Sequence, residues 1–249
     1  MPGNSWVDNE VKAAITAASS TPVVAAGKTV VALAASVDWT SKMNPIKNQG
    51  QCGSCWAFTA VGTLEAGIRI KNGSVYTFSE QELVDCCMRN LTICSVSSGC
   101  NGGSTIQAYN YVASYGIATS SYIYTGLQST TCKRASYARN KMLKTSGTYT
   151  AIIPNNANYL KGNVTARPVA VYVDATSWMT YASGIFNKCN FTAINHAVIL
   201  VGYDANNNWK LRNHWSTTWG EAGYIRIAPN NTIGGACGIL SSPFIPNFL

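Results

Sequence analysis

A short segment in the first quarter of the chain, residues 49–56, combines two side chains suited to attack on a carbonyl group. The second of its two cysteines, Cys55, could act as a nucleophile. The amide of Gln49 could donate a hydrogen bond to the carbonyl oxygen that becomes negative during the attack. Apolar residues then recur every three or four positions, as on one face of a helix: Ala57, Val61, Leu64 and Ile68. The segment therefore predicts a thiolate at a helix N-terminus, where its own backbone N–H supplies a second donor.

A cysteine nucleophile needs a base, and the chain contains only two histidines, His196 and His214. His196 opens the apolar run His196–Tyr203, and the end of a strand that faces a cleft suits a catalytic imidazole. The base in turn needs a partner that orients it, and Asn213 can supply a side-chain carbonyl. The sequence therefore predicts that Cys55, His196 and Asn213 act together.

The composition of the 249-residue chain favours a globular protein with a core large enough for one domain or two modest ones. Hydrophobic residues make up 47% and charged residues only 11%, which excludes a disordered chain. The net charge of +8 is scattered, and the aromatic residues do not interleave with a basic stripe, so no nucleic-acid partner is expected. No run of about 18 apolar residues occurs, so no membrane span is expected.

Nine cysteines, an odd number, indicate four disulfides and one free thiol, and hence an oxidising compartment. Five N-x-S/T sequons agree with that environment: Asn72, Asn90, Asn163, Asn190 and Asn230. Together these features favour a lysosome-like compartment or the extracellular space. Residues 1–10 are polar and the apolar stretch 23–35 is interrupted by Gly27 and Lys28, so we expect no signal peptide in this chain. We therefore expect a longer precursor.

The order of predicted elements places helices before strands. A capping-box spacing at 79–82 begins a second helix, and a third is expected over Thr105–Tyr115, ending at Gly116. Four β-type runs follow in the second half: Val169–Val173, His196–Tyr203, 209–213 and 223–228. This order predicts an α+β protein with two lobes, and a cleft between lobes is a usual place for an active site.

The motifs together resemble those of the papain-like cysteine peptidases, of the cathepsin L type. The resemblance runs from about Val37 to Pro246. Six motifs carry it: Gln49-Gly50-Gln51-Cys52-Gly53-Ser54-Cys55-Trp56, Ser79-Glu80-Gln81-Glu82-Leu83-Val84-Asp85-Cys86, Gly99-Cys100-Asn101-Gly102-Gly103, Asn195-His196-Ala197, Asn213 with Trp215, and Trp219-Gly220-Glu221 followed by Gly223-Tyr224. It implies a papain-like fold with a helical left lobe, a β-barrel-like right lobe and the active-site cleft between them.

The resemblance assigns catalytic roles to four of these residues. Cys55 would be the nucleophile, with its pKa lowered by the helix N-terminus and by an imidazolium. His196 would be the base and then the acid for the leaving amine. Asn213 would orient the imidazole, and Trp215 would cover that hydrogen bond. The Gln49 amide and the Cys55 backbone N–H would hold the oxyanion.

The resemblance also assigns residues that contact an extended substrate. They are Gly53, Gly102, Gly103, Thr105, Tyr172, Ile194, Asn195, Ala197, Trp215 and Ser242. The two adjacent glycines would offer bare backbone for pairing with the substrate main chain. The second residue before the scissile bond is called P2, and its pocket would be lined by Thr105, Tyr172, Ile194, Ala197 and Ser242. This lining implies an apolar preference at P2. Tyr172 stands where relatives usually have a small aliphatic residue, so it would make the pocket shallow or offer a hydroxyl.

The pairing of the cysteines follows from the resemblance as well. It implies the disulfides Cys52–Cys100, Cys86–Cys132 and Cys189–Cys237. Cys87 and Cys94 lie outside that pattern, and we expect them to pair with each other. Cys55 then remains the free thiol, in agreement with the odd count.

The resemblance finally implies a division of the chain and a kind of activity. Residues 1–33 would be a remnant of a pro-segment, and 34–249 the peptidase domain, with a helical lobe at about 45–147 and a β lobe at about 34–44 and 148–249. Neither histidine lies within 86–132, where a paired-histidine loop would block the cleft, so an endopeptidase is expected. Expected partners are polypeptide substrates, cystatin-like inhibitors and its own pro-domain. We expect a monomer with no cofactor and no metal.

The chain departs from the family pattern beside the orienting asparagine. Relatives usually read Asn-Ser-Trp-Gly where this chain has Asn213-His214-Trp215-Ser216. His214 could be a solvated loop residue, a modifier of the pH response, or a competing partner for Asn213. The main alternative function is a catalytically inactive papain fold that serves as a binding or structural protein. A redox pair or a zinc site at Cys52 and Cys55 is disfavoured, because neither explains the other motifs.

Overall fold

A computed structural model describes residues 33–189, 191–230 and 232–249 of the chain. The expected pro-segment remnant, residues 1–33, lies outside the described residues except for Leu33, and so does the sequon residue Asn190. No helix in the described ranges is long and apolar enough to cross a bilayer.

Four α-helices and eight strands form the described structure. The helices are α1 Cys55–Asn72, α2 Glu80–Cys86, α3 Thr105–Tyr115 and α4 Ala157–Ala166. The strands are β1 Val37–Asp38, β2 Tyr149–Ala151, β3 Val169–Val173, β4 Ile185–Phe186, β5 His196–Tyr203, β6 Trp209–Arg212, β7 Tyr224–Ile227 and β8 Phe244–Pro246. The helices α1 to α3 precede most of the sheet, so the α+β class expected from the sequence is confirmed.

The helix ends follow local signals in the sequence. Helix α1 ends at Gly73, whose positive φ of 79° suits a residue without a side chain. At the start of α2, the Ser79 side chain accepts a hydrogen bond from the backbone N–H of Glu82, which is half of the expected capping box. The Glu82 carboxylate does not return to Ser79. It accepts hydrogen bonds from Tyr111 and from the backbone of Ala118, and so ties α2 to α3.

Strand β5 is the centre of the sheet and positions one half of the site. All of its residues are buried. The strand order is β2-β8-β3-β5-β6-β7-β4, and β1 also pairs with β5. In the antiparallel β3–β5 pair, Val173 lies opposite His196 and Tyr172 opposite Ala197. This register places Tyr172 on the strand beside the predicted base, one residue from its partner position.

Helix α1 packs directly against β5, and this contact brings the two halves of the site together. A Cβ atom on Gly62 of α1 would lie only 2.5 Å from a methyl group of Ile199 on β5, so a larger residue there would require Ile199 to shift. One hydrophobic cluster fills the space around α1, α2 and α3, and a second fills the sheet around β3, β5, β6 and β7. Tyr172 of β3, Ala197 of β5 and Ile194 just before β5 belong to the first cluster, so the helical and β lobes meet there.

Four disulfides staple the structure, and the structure forms all the pairs expected above: Cys52–Cys100, Cys86–Cys132, Cys87–Cys94 and Cys189–Cys237. All nine cysteines lie in the described ranges, and Cys55 is the free one. Three of the bonds, those of Cys52, Cys86 and Cys87, hold the segments before and after α2 to the rest of the helical lobe.

Candidate active site

The predicted nucleophile lies at the first residue of α1. Cys55 is 4% exposed, and Ser54 precedes it as the N-cap. The disulfide between Cys52 and Cys100 holds the turn before the helix, and the Gly53 backbone N–H donates to the Cys100 carbonyl at 2.8 Å. The staple therefore fixes the approach of the chain to the helix start, and Cys55 itself remains free.

Gln49 lies beside this turn with one amide hydrogen engaged. Its Nε2 donates to the Cys52 carbonyl at 2.8 Å, and its side chain is buried. Its backbone N–H donates to the carbonyl of His214 at 2.9 Å, which ties the turn to the β lobe. Tyr124 donates from its hydroxyl to the Gln49 carbonyl at 2.8 Å. An amide has two N–H groups, so one donor of Gln49 stays available for a second acceptor.

The predicted base lies at the first residue of β5, hydrogen bonded to the predicted orienting residue. His196 Nε2 and Asn213 Oδ1 are 2.9 Å apart. Asn213 is completely buried, and the ring centroids of His196 and Trp215 are 4.9 Å apart. Because the Asn213 oxygen can only accept, the ring carries its proton on Nε2, which leaves Nδ1 as the proton acceptor.

Burial is the dominant influence on both titratable groups at the centre of the site. It raises the pKa of the Cys55 thiol to about 11, although backbone hydrogen bonds, first that of Ala197, lower it. It lowers the pKa of His196 to about 4, against the hydrogen bond to Asn213. For Cys55 considered alone, desolvation outweighs the backbone donors, so the expected lowering of its pKa has to come from the His196 imidazolium. Each group taken alone is neutral near neutral pH.

The first of the three interpretations of His214, a solvated loop residue, is wrong. It is 5% exposed, and its ring stacks on Phe58 of α1 with centroids 5.4 Å apart. The ring also lies 5.0 Å from that of His196. Its side chain does not compete for Asn213, since the bond to Asn213 Oδ1 comes from the His214 backbone N–H at 2.9 Å. Burial, followed by the charges of His196 and Arg212, lowers the pKa of His214 well below its usual value.

Ser216, the second departure beside Asn213, has a left-handed backbone. Its φ is 73°, a conformation that glycine adopts without strain and serine does not. Its backbone N–H donates to the Lys47 carbonyl at 3.2 Å. A glycine at this position in relatives therefore matches the backbone of this chain.

The two adjacent glycines predicted to meet the substrate differ in their hydrogen bonding. The Gly102 carbonyl accepts from the backbone N–H of Ser98 at 2.8 Å, so it is engaged within the protein. The main chain of Gly103 forms no such bond in the part of the chain that the structure describes. A Cβ atom on Gly103 would lie 2.5 Å from the Trp56 ring, so only glycine fits there. Gly103 is thus the one that can pair with an extended peptide.

The residues predicted to line the P2 pocket come together but are nearly inaccessible. Thr105, Tyr172, Ile194 and Ala197 are each at most 3% exposed. The Tyr172 hydroxyl is already engaged, because it accepts a hydrogen bond from the Thr105 backbone N–H at 3.2 Å.

The remaining predicted pocket residue, Ser242, and the predicted substrate contact Asn195 are both partly buried. The Asn195 side chain bonds away from the pocket, to Asp174, Thr176 and the backbone of Ala175. Its role in the structure is therefore to hold the turn that precedes β5.

Three further residues around the site were not anticipated from the sequence. Tyr124 reaches the segment 49–56 through Gln49 and through Ser54 Oγ at 2.7 Å. Phe58 separates Tyr124 from His214 by packing against both rings. The rings of Trp178 and His196 are nearly perpendicular, with centroids 6.3 Å apart. No local pattern identifies them, because each acts on a residue far away in sequence.

The fold and the disposition of Cys55, His196 and Asn213 define a cysteine protease of the papain class. Comparison with known proteins agrees: the family described as papain family cysteine protease matches residues 33–247. The chain therefore belongs to the papain family of cysteine proteases.

Individual relatives show the same. Cathepsin L 2 of Paramecium tetraurelia is 42% identical over 217 residues, which cover 85% of this chain and 64% of that protein. A cysteine protease of Carica candamarcensis, solved in complex with E-64, is 37% identical with a TM-score of 0.77 and covers 86% of this chain and 99% of its own. The proform of a ragweed pollen cysteine protease is 32% identical with a TM-score of 0.78, covering 89% of this chain and 67% of its own. The chain thus spans somewhat less than two thirds of the Paramecium protein.

Proposed function

We propose that the protein is a cysteine endopeptidase that hydrolyses peptide bonds through an acyl-enzyme on Cys55. The observation that carries the proposal is the hydrogen bond between His196 and Asn213 at 2.9 Å, at the strand end beside the start of α1. It fixes the imidazole tautomer in which Nδ1 accepts a proton. Family membership supports the same chemistry.

The reactive form in this proposal is an ion pair. A proton moves from the Cys55 thiol to Nδ1 of His196, so the site stays neutral overall while both charges form together. The backbone of Ala197, adjacent to His196, lowers the pKa of the Cys55 thiol, which supports a thiol that lies near the strand carrying the base. Mutual attraction and the Asn213 carbonyl then offset the desolvation that keeps each group neutral alone.

Acylation follows from this pair. The thiolate attacks the scissile carbonyl carbon, and the carbonyl electrons move to oxygen. The free amide hydrogen of Gln49 and the Cys55 backbone N–H stabilise that oxyanion. The His196 imidazolium gives its proton to the leaving nitrogen as the C–N bond breaks, and a thioester on Cys55 remains.

Deacylation uses the same groups in reverse. Neutral His196 takes a proton from a water molecule as its oxygen attacks the thioester carbonyl. The carbon–sulfur bond breaks, the carboxylic acid leaves, and the ion pair is restored. Trp215 shields the bond between His196 and Asn213 from water during both steps.

Substrate binding in this proposal uses the main chain first. An extended peptide pairs with the backbone of Gly103, and Gly53 permits close approach on the other side of Cys55. We propose an apolar P2 residue, since Ile194 and Ala197 line that pocket. The four disulfides and the sequons support a lysosome-like or extracellular compartment, with a pro-domain and cystatin-like inhibitors as partners of a monomeric enzyme.

The competing function is an inactive papain fold that binds other proteins. Incubation with a denatured protein substrate, followed by mass spectrometry of the fragments, separates the two. An endopeptidase gives internal cleavage that is lost in Cys55→Ala, whereas an inactive fold gives none from either protein. Gln51→Ala, an exposed position in the same segment, is the matched control and retains cleavage.

A further inference from the structure

We infer that Tyr172 fills the P2 pocket, so that the enzyme accepts glycine, alanine or serine at P2 and excludes leucine and phenylalanine. This inference rests on the proposed peptidase function and narrows its substrate class. It replaces a general apolar preference with a size limit that one side chain of this chain imposes.

The position of Tyr172 lets its ring cross between the two lobes. It stands on β3 opposite Ala197, next to the pair formed by Val173 and His196. From there its hydroxyl reaches the first turn of α3, where it accepts from the Thr105 backbone N–H at 3.2 Å. The ring therefore spans the space that an incoming P2 side chain would use.

The packing around the ring leaves no room for a second large side chain. Tyr172 is 3% exposed, and its ring centroid lies 5.3 Å from that of Phe244. Thr105 and Ile194, which are assigned to the same pocket, are also buried. Protein interiors are packed as densely as organic crystals, so a leucine or phenylalanine can enter only if the tyrosine leaves.

The hydrogen bond to Thr105 holds the ring in place. The first backbone N–H groups of a helix have no partner within the helix. Ser104 accepts from Gln107, and Tyr172 accepts from Thr105, so two of the free donors of this first turn are satisfied. Rotation of the ring out of the pocket would leave the Thr105 N–H buried without a partner. A glycine, alanine or serine at P2 avoids this rotation, because a side chain that small does not need the volume that the ring occupies.

The test compares kcat/KM for two fluorogenic dipeptides that share arginine at the cleaved bond and carry either alanine or phenylalanine at P2. Wild-type enzyme should prefer the alanine substrate by at least about tenfold. Tyr172→Val should reverse the order, because it opens the pocket. Tyr172→Phe is the matched control: it keeps the ring and removes only the hydroxyl, so alanine should remain preferred.

Equal or greater efficiency of the wild-type enzyme on the phenylalanine substrate would overturn the inference, and so would an unchanged ratio in folded Tyr172→Val. If Tyr172→Val does not fold, as judged by its circular dichroism, the wild-type ratio decides alone. Failure of the peptidase proposal looks different: no peptide is cleaved, whatever its P2 residue, and iodoacetamide does not modify Cys55 at mildly acidic pH.

Discussion

The two sides of the active site follow the papain pattern to different degrees. On the helix side, Cys55 and Gln49 lie in a turn closed by the disulfide Cys52–Cys100, and the residues match the pattern throughout. On the sheet side, His196 and Asn213 match it as well, but their surroundings do not. The departures all lie on the sheet side: Tyr172, His214 and Ser216.

The residues that react with the substrate match the papain pattern, whereas some of the residues that surround them do not. The nucleophile and the oxyanion donors lie on one short stapled segment, so changes there should alter the rate of the chemical step. The three departures are buried or strained positions around the imidazole and the P2 pocket. Changes there should alter substrate choice, the dependence of stability on pH, and stability itself.

The largest expected effect comes from removing the ion pair between Cys55 on the helix side and His196 on the sheet side. His196→Ala should lower peptide cleavage by about 10⁴-fold, because the base and the imidazolium are both lost. Burial of Cys55 persists in this variant, so alkylation by iodoacetamide should need alkaline pH, towards the thiol pKa of about 11 that burial imposes. Wild-type Cys55 should react at mildly acidic pH. Equal alkylation rates of both proteins at that pH would rule out the ion pair.

A smaller loss is expected on the helix side alone. Gln49→Ala removes one oxyanion donor and should lower kcat by about 10²-fold to 10³-fold. Alkylation of Cys55 creates no oxyanion, so its rate should stay near that of the wild-type enzyme. Turnover that remains unchanged in Gln49→Ala would mean that another group holds the oxyanion.

His214 should affect stability more than turnover. Its pKa is lowered on folding, so the unfolded chain binds its proton below about pH 6.5 while the folded protein does not. Its contribution to stability is therefore present above that pH and is lost as the pH falls. Each pH unit below this value should cost about 1 kcal/mol.

His214→Phe keeps a ring against Phe58 and removes the titration. Urea unfolding at about pH 7 and about pH 5 should show that this variant loses about 1–2 kcal/mol less stability than the wild-type protein on acidification. His196 is present in both proteins and cancels in the comparison. Identical losses in both proteins, or a large rise in turnover of the variant, would contradict this role.

The smallest effect concerns Ser216. Glycine at this left-handed position should raise the free energy of unfolding by about 0.5 kcal/mol, since relief of the strain exceeds the added entropy of the unfolded chain. Thr217→Gly is the matched control, because its φ is not positive, and it should be destabilising. A lower melting temperature for Ser216→Gly would show that serine makes a contact worth more than the strain.

Long elements with a clear period were predictable from the sequence, and short ones were not. Helix α3 and the strands β3 and β5 have the predicted bounds, because each carries a clear apolar pattern. Helix α4 was missed, since it buries only Leu160 and Val164 and contains a glycine. Strands β1 and β4 have two residues each, too few for any period to show.

The site divides in the same way. Local motifs identify Cys55 and His196, because each lies at the start of an element with its own signal. The hydrogen bonds that hold the surroundings of these two residues join positions far apart in sequence. Tyr172 and Thr105 are separated by 67 positions, and Tyr124 and Gln49 by 75. His214 is buried by helix α1, which lies in another part of the chain. No sequence pattern around residue 214 could therefore reveal this burial.

The most direct measurement for the central claim is a titration of the active enzyme with iodoacetamide at mildly acidic pH. This small neutral reagent has no side chain that must enter the P2 pocket. Residual cleavage and intact mass are followed in the same samples. We predict that cleavage falls in proportion to the added mass and vanishes when one group has been added, on Cys55 alone. Cleavage that persists after complete modification of Cys55 would contradict the account.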